Sequence, residues 1–146
     1  MTTNAAERQS LQLEYELSHP PEKVWRALTE PALIAAWLMS TDMQPVAGKS
    51  FTFKSEPTAW WDGVVHCKVL EIDKPRRLQY SWQAGQGASM LDTVVTWTLT
   101  PTSSGGTRLG LVHAGFQPSN KFAFGGAQQG WERNIGTLRE LLERTA

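Results

Sequence analysis

The sequence predicts an α+β domain in which a curved antiparallel sheet of about six strands wraps one long C-terminal helix. Three observations carry this prediction. Segments of alternating apolar and polar residues follow one another through the middle of the chain, as half-buried strands do. Hairpin-length connections join them, which favours antiparallel pairing. From Lys121 to Arg144 the apolar spacing changes to three, four and seven, the repeat of an amphipathic helix.

The elements follow in order. Residues 1–9 are polar and read as a flexible tail. Leu11, Leu13, Tyr15 and Leu17 alternate with Gln12, Glu14 and Glu16, giving the first strand. The run Ser18-His19-Pro20-Pro21 breaks it, and Ser18 or His19 is placed to cap a helix with proline in its first turn. Glu22 to Thr29 carries Val24, Trp25 and Leu28 on one face of a short helix. Pro31 opens a second short helix with Ile34, Trp37 and Leu38. Phe51 and Phe53 flank Thr52 in a short, edge-like strand. Trp60 to Ile72 reads as a long strand whose inward face stays open between two sets: Val65, Cys67 and Val69, or Val64, His66, Leu70 and Ile72. After a turn at Asp73-Lys74-Pro75-Arg76, Leu78, Tyr80 and Trp82 alternate with polar residues. A glycine-rich loop, Ala84 to Ser89, leads to Val95, Trp97 and Leu99. Ser104-Gly105-Gly106 signals a hairpin into Leu109, Leu111 and His113. The final helix aligns Phe124, Trp131, Ile135, Leu138 and Leu142, with Gln128 in the same row. No repeat or linker interrupts this order, so residues 1–146 read as one domain.

Composition removes several function classes. Lys plus Arg and Asp plus Glu both number 14, so the chain has none of the basic surplus that a phosphate backbone demands, and no nucleic-acid partner is expected. The cluster Lys74, Arg76 and Arg77 reads as a solvated turn. Cys67 is the single cysteine, which forbids an intramolecular disulfide and suits a reducing compartment. No stretch approaches the ~20 apolar residues of a membrane span, and Met1 to Ser10 holds no signal core. The expectation is a cytoplasmic protein without membrane insertion. His66 and Cys67 are adjacent on a strand and face opposite ways, and no cluster with metal-ligand spacing exists, so no metal or cofactor is expected. There is no GxSxG nucleophile motif.

Two features point to a cavity. The final helix carries Gly125, Gly126, Gly130 and Gly136, each costing ~1 kcal/mol relative to alanine. Such glycines either allow close helix–sheet packing or leave open space, and both readings stand. The chain also holds seven tryptophans, and the expected inward face sets polar tips among large rings: Tyr80, Trp82, Trp97, His113, Gln128 and Trp131. A ligand pocket is mostly apolar with a few converging polar groups, whereas a purely structural core leans on aliphatic residues. In a binding reading, Trp82, Trp97, Leu111, Phe124 and Trp131 supply apolar contact, while Tyr80, His113 and Gln128 orient a small hydrophobic or amphipathic ligand. An enzyme of cyclase or hydrolase type would use the same cavity, with His113 moving a proton and Tyr80 donating a hydrogen bond. The competing reading of His113 is a structural histidine near the Gly115-Phe116 turn.

Four segments resemble the START/polyketide-cyclase (SRPBCC) superfamily, in the branch similar to the activator of heat-shock-protein-ninety ATPase. They are SHPPEKVWRALTEPALIAAWL (Ser18 to Leu38), LEIDKPRRLQYSW (Leu70 to Trp82), the stretch Thr93 to Phe116 ending GGTRLGLVHAGF, and GWERNIGTLRELLE (Gly130 to Glu143). They occur in the family's order and cover most of the chain. One departure is Lys74, which stands where the family often has proline. The resemblance implies a helix-grip fold, with a pocket between sheet and helix, and explains two short helices after strand one. It names no ligand: members include lipid carriers, polyketide cyclases, stress-response binders and co-chaperone domains. It therefore adds a chaperone or other protein partner to the alternatives, and a homodimer stays open.

Overall fold

The computed structural model describes residues 9–59, 61–85, 91–117 and 120–145. Strand β1 (Gln9–Leu17) is followed by helices α1 (Pro21–Thr29) and α2 (Pro31–Trp37). Six further strands come next: β2 (Ser40–Thr41), β3 (Ser50–Lys54), β4 (Val64–Asp73), β5 (Arg77–Ala84), β6 (Leu91–Pro101) and β7 (Thr107–Phe116). Helix α3 (Lys121–Arg144) ends the chain. The strands form one sheet in the order β1-β7-β6-β5-β4-β3-β2, and every neighbouring pair is antiparallel. This is the helix-grip architecture, with seven strands where about six were expected. The added strand is β2. Two residues leave no periodicity to read, and side chains hold the pairing instead: the Thr41 hydroxyl donates to the Thr52 carbonyl at 2.7 Å, and the Thr52 amide donates to Asp42 Oδ1 at 2.7 Å.

Other boundaries shift for local reasons. Gln9 belongs to β1, opposite Phe116, and not to the tail, whose residues 1–8 lie outside the described part. Neither Ser18 nor His19 caps α1. Pro20 is the cap residue, and its carbonyl accepts the amides of Lys23 and Val24. Strand β4 starts at Val64 rather than at Trp60, which itself lies outside the described residues. Gly63 sets that boundary: its φ of +82° is left-handed, and a β-carbon there would run into the Ser55 carbonyl. The inward face of β4 is Val65, Cys67 and Val69. Leu70 is exposed by the same alternation, and a register shift between Val69 and Glu71 then turns Glu71 outward and Ile72 inward, half-buried against the core.

The core lies between the concave face of the sheet and the three helices. Its centre is a chain of aromatic rings. Phe51 meets Tyr80 edge-on at 5.3 Å, Phe53 meets Trp82 at 5.4 Å, and Trp131 touches both Trp82 (5.4 Å) and Trp97 (5.5 Å). Trp37 of α2 closes the series on Trp97 at 5.9 Å. Such edge and tilted contacts add ~0.5–1.5 kcal/mol each beyond area burial. The end of α3 buries Ile135, Leu138, Leu141 and Leu142, so its C-terminal half is gripped tightly. Its N-terminal half is not, and the site lies there.

Candidate functional site

A cavity of about 590 Å³ separates the N-terminal half of α3 from the sheet. Helix α3 contributes a stripe of small residues, Ala123, Gly126, Ala127 and Gly130, ending in Asn134 and flanked by Trp131. The sheet contributes Val65, Trp82 and His113, with Ala84, Gly85 and Leu91 at the β5–β6 end. Leu38 and Met39, just beyond α2, and Trp61, before β4, complete the wall. Trp61 is held by its indole N–H, which donates to the Val64 carbonyl at 3.1 Å. Among the described residues, none in the lining carries a formal charge at neutral pH.

The helix glycines do not serve close packing. A β-carbon at Gly125, Gly126 or Gly136 would have open space around it, and one at Gly130 would come no nearer than 4.0 Å to the Arg133 guanidinium. Small residues at 123, 126, 127 and 130 leave volume between helix and sheet that larger side chains would fill.

His113 joins the two walls. The Trp131 indole can only donate, and it donates to His113 Nδ1 at 3.0 Å. The ring is therefore the neutral tautomer with its proton on Nε2, which donates to the Thr93 hydroxyl at 2.8 Å. That hydroxyl donates in turn to the Trp82 carbonyl at 2.9 Å. Burial lowers the basicity of His113 to about 3. Both ring nitrogens are committed, and the imidazole is neutral at physiological pH.

Of the residues expected to form the site, Trp82, His113 and Trp131 line the cavity. Tyr80, Trp97 and Leu111 face inward but sit in the packed core behind it. The Tyr80 hydroxyl accepts the Trp97 indole N–H at 3.0 Å, and burial raises the Tyr80 pKa. Phe124 packs edge-on against Phe116 at 5.1 Å, half-buried and outside the lining. Gln128 is a correction: it is exposed and not on the inward face. Each helical residue advances about 100°, so one step past Ala127 carries Gln128 away from the cavity. The alternation of a strand identifies its inward side but not which stretch lies beneath the open half of the helix. Asn134 had a readable signal: it is the polar member of the 123-127-130-134 arc, beside the Trp131 row. Leu38, Met39 and Trp61 had none, because they lie in connections without a period.

Cys67 is buried against the sheet, and desolvation pushes its thiol pKa up, as expected for a small hydrophobe. Among the described residues no three His, Cys, Asp or Glu groups converge to hold a metal ion. No helix among them is long and apolar enough to cross a membrane.

Comparisons with known proteins agree with the helix-grip fold. No curated protein matches the chain. Among solved structures, protein MLL2253 from Mesorhizobium loti is 42% identical, with a TM-score of 0.87 over 94% of this chain and 99% of that one. CalU16 from Micromonospora echinospora is 25% identical, with a TM-score of 0.74 over 99% of this chain and 82% of that one. DynU16, from the dynemicin biosynthetic locus, shares the fold at 23% identity and a TM-score of 0.76, over 92% of this chain and 47% of that one. The profile of the Activator of Hsp90 ATPase homolog 1-like proteins matches residues 18–143. Nearly the whole helix-grip domain falls within that match, and the chain belongs to the Activator of Hsp90 ATPase homolog 1-like family.

Proposed function

We propose that the protein binds a small apolar or amphipathic molecule in the cavity between the sheet and α3. The observation that carries this reading is an uncharged, aromatic-walled space of about 590 Å³, within the ~300–1,000 Å³ range of ligand sites. Leaving it unfilled forfeits the packing that larger residues on α3 would provide. A reaction driven by His113 or Tyr80 in the same cavity is less well supported. The His113 ring has neither nitrogen free, and the Tyr80 hydroxyl is buried against Trp97 outside the lining. A protein-docking role has less support again, since Val46 and Leu70 are the large hydrophobics exposed among the described residues.

The test is a fluorescence titration with N-phenyl-1-naphthylamine, a neutral probe that brightens in apolar surroundings. The expected result is saturable binding at one site, lost when Gly130→Leu fills the cavity while the variant stays folded. Unsaturable binding, or binding that Gly130→Leu leaves unchanged, would contradict the proposal.

A further inference from the structure

We infer that the cavity selects a neutral ligand bearing a hydrogen-bond acceptor of the carbonyl kind, read by the Trp82 indole N–H and the Asn134 carboxamide. This rests on the binding reading above and adds the chemistry of the ligand. The polar groups of the wall divide into two sets. The Trp131 and Trp61 indoles and both His113 nitrogens are committed within the protein. The Trp82 indole N–H has no acceptor among the described residues, although its ring is packed by Phe53, His113 and Trp131 and the residue is only 9% exposed. It is not sealed in the core either: among the described residues the fully buried side-chain atom without a hydrogen bond is His19 Nε2, far along the chain. Asn134, half-buried on the helix side, likewise has no hydrogen-bond partner among the described residues.

An indole N–H can only donate. In the empty cavity water can serve it, but an apolar ligand that fills the space expels that water. A hydrocarbon then leaves the donor unpaired, whereas a carbonyl oxygen restores the bond. The Asn134 amide offers a second donor and an acceptor, so it tolerates a ketone, ester or amide. A carboxylate meets no cationic side chain among the described residues of the lining, and burying it unpaired is unfavourable. Neutrality and one acceptor are thus set by the same wall.

The experiment compares three probes of one size by calorimetric titration: 2-acetylnaphthalene, 2-isopropylnaphthalene and 2-naphthoate. The native chain is expected to bind the ketone about 10-fold more tightly than the hydrocarbon, with the carboxylate weakest. In Trp82→Phe the ketone's advantage is expected to shrink to less than about 3-fold, and in Asn134→Leu to fall part of the way. Equal affinities for ketone and hydrocarbon in the native chain would overturn this inference while leaving the binding site standing. Full retention of the preference in both variants would do the same. Failure of both neutral probes to bind would overturn both the inference and the binding reading. The native-chain comparison needs no substitution, so it decides the matter even if Trp82→Phe folds poorly.

Discussion

His113 sits in a chain of three hydrogen bonds that ties α3 to β7, β6 and β5 and whose directions are all determined: Trp131 to His113, His113 to Thr93, and Thr93 to the Trp82 carbonyl. Protonating Nδ1 would set two N–H groups against each other, which adds to the desolvation that keeps the ring neutral. In the unfolded chain the same imidazole takes up a proton near pH 6.5, and in the folded chain only near 3. Between these values the unfolded state binds more protons, so this contribution is fully present above about 6.5 and is lost as pH falls. The stability of the native chain should drop between about pH 6 and about pH 4.5 more steeply than that of His113→Gln, by roughly 1 kcal/mol per pH unit, in urea titrations at each pH. Trp131→Phe removes the donor to Nδ1 and a buried bond, and should cost about 1–3 kcal/mol beyond its change in packing area. An unchanged pH slope in His113→Gln would show that the histidine titrates normally. At this scale the sequence exposed the chemistry but not its partners. The alternation in β7 put His113 inward, yet nothing in the chain couples position 113 to 131 or 93, because hydrogen bonds between distant segments have no local signature.

At the scale of elements, α3 is two helices in one. Its second half is a close-packed stripe, and its first half is a glycine-softened wall. Gly125 faces open space outside the cavity lining, so Gly125→Ala should stabilise the fold by about 0.5–1 kcal/mol and leave probe affinity unchanged. Gly130→Leu should instead abolish probe binding with little loss of stability, and thermal denaturation alongside the titration separates the two effects. If Gly125→Ala weakened binding as much as Gly130→Leu, the glycines would be acting through helix flexibility rather than through space. Gly63 is a glycine of the other sort. Its left-handed φ and the adjacent Ser55 carbonyl exclude a β-carbon. Gly63→Ala should therefore lower stability by at least about 1 kcal/mol in chemical denaturation and shift the emission of Trp61, two residues away on the cavity wall. The number, order and type of the long elements were legible because each has a sustained period. Strand β2 and the Asp62-Gly63 turn were not: the first is two residues long, and the apolar run around the second hid a backbone that only its surroundings explain.

Across the whole molecule, one curved sheet does two jobs. Toward the C-terminal end of α3 it closes on leucines and on α1, where Lys23 Nζ also donates to the Thr145 carbonyl at 2.7 Å. Toward the N-terminal end it stands away and leaves the cavity. The predicted helix-grip architecture anticipated a space between sheet and helix, and the family match agrees with that architecture. The placement of the space along the helix was not legible, because it depends on small residues whose absence of side chain is the signal. The most direct test of the central claim is a two-dimensional NMR titration that follows each tryptophan indole N–H as N-phenyl-1-naphthylamine is added. Saturable shifts at Trp61, Trp82 and Trp131, with Trp37 unmoved on its bond to the Ala27 carbonyl, are the predicted result. No shift at those three, or an equal and unsaturable drift of all the indoles, would contradict a ligand site between the sheet and the C-terminal helix.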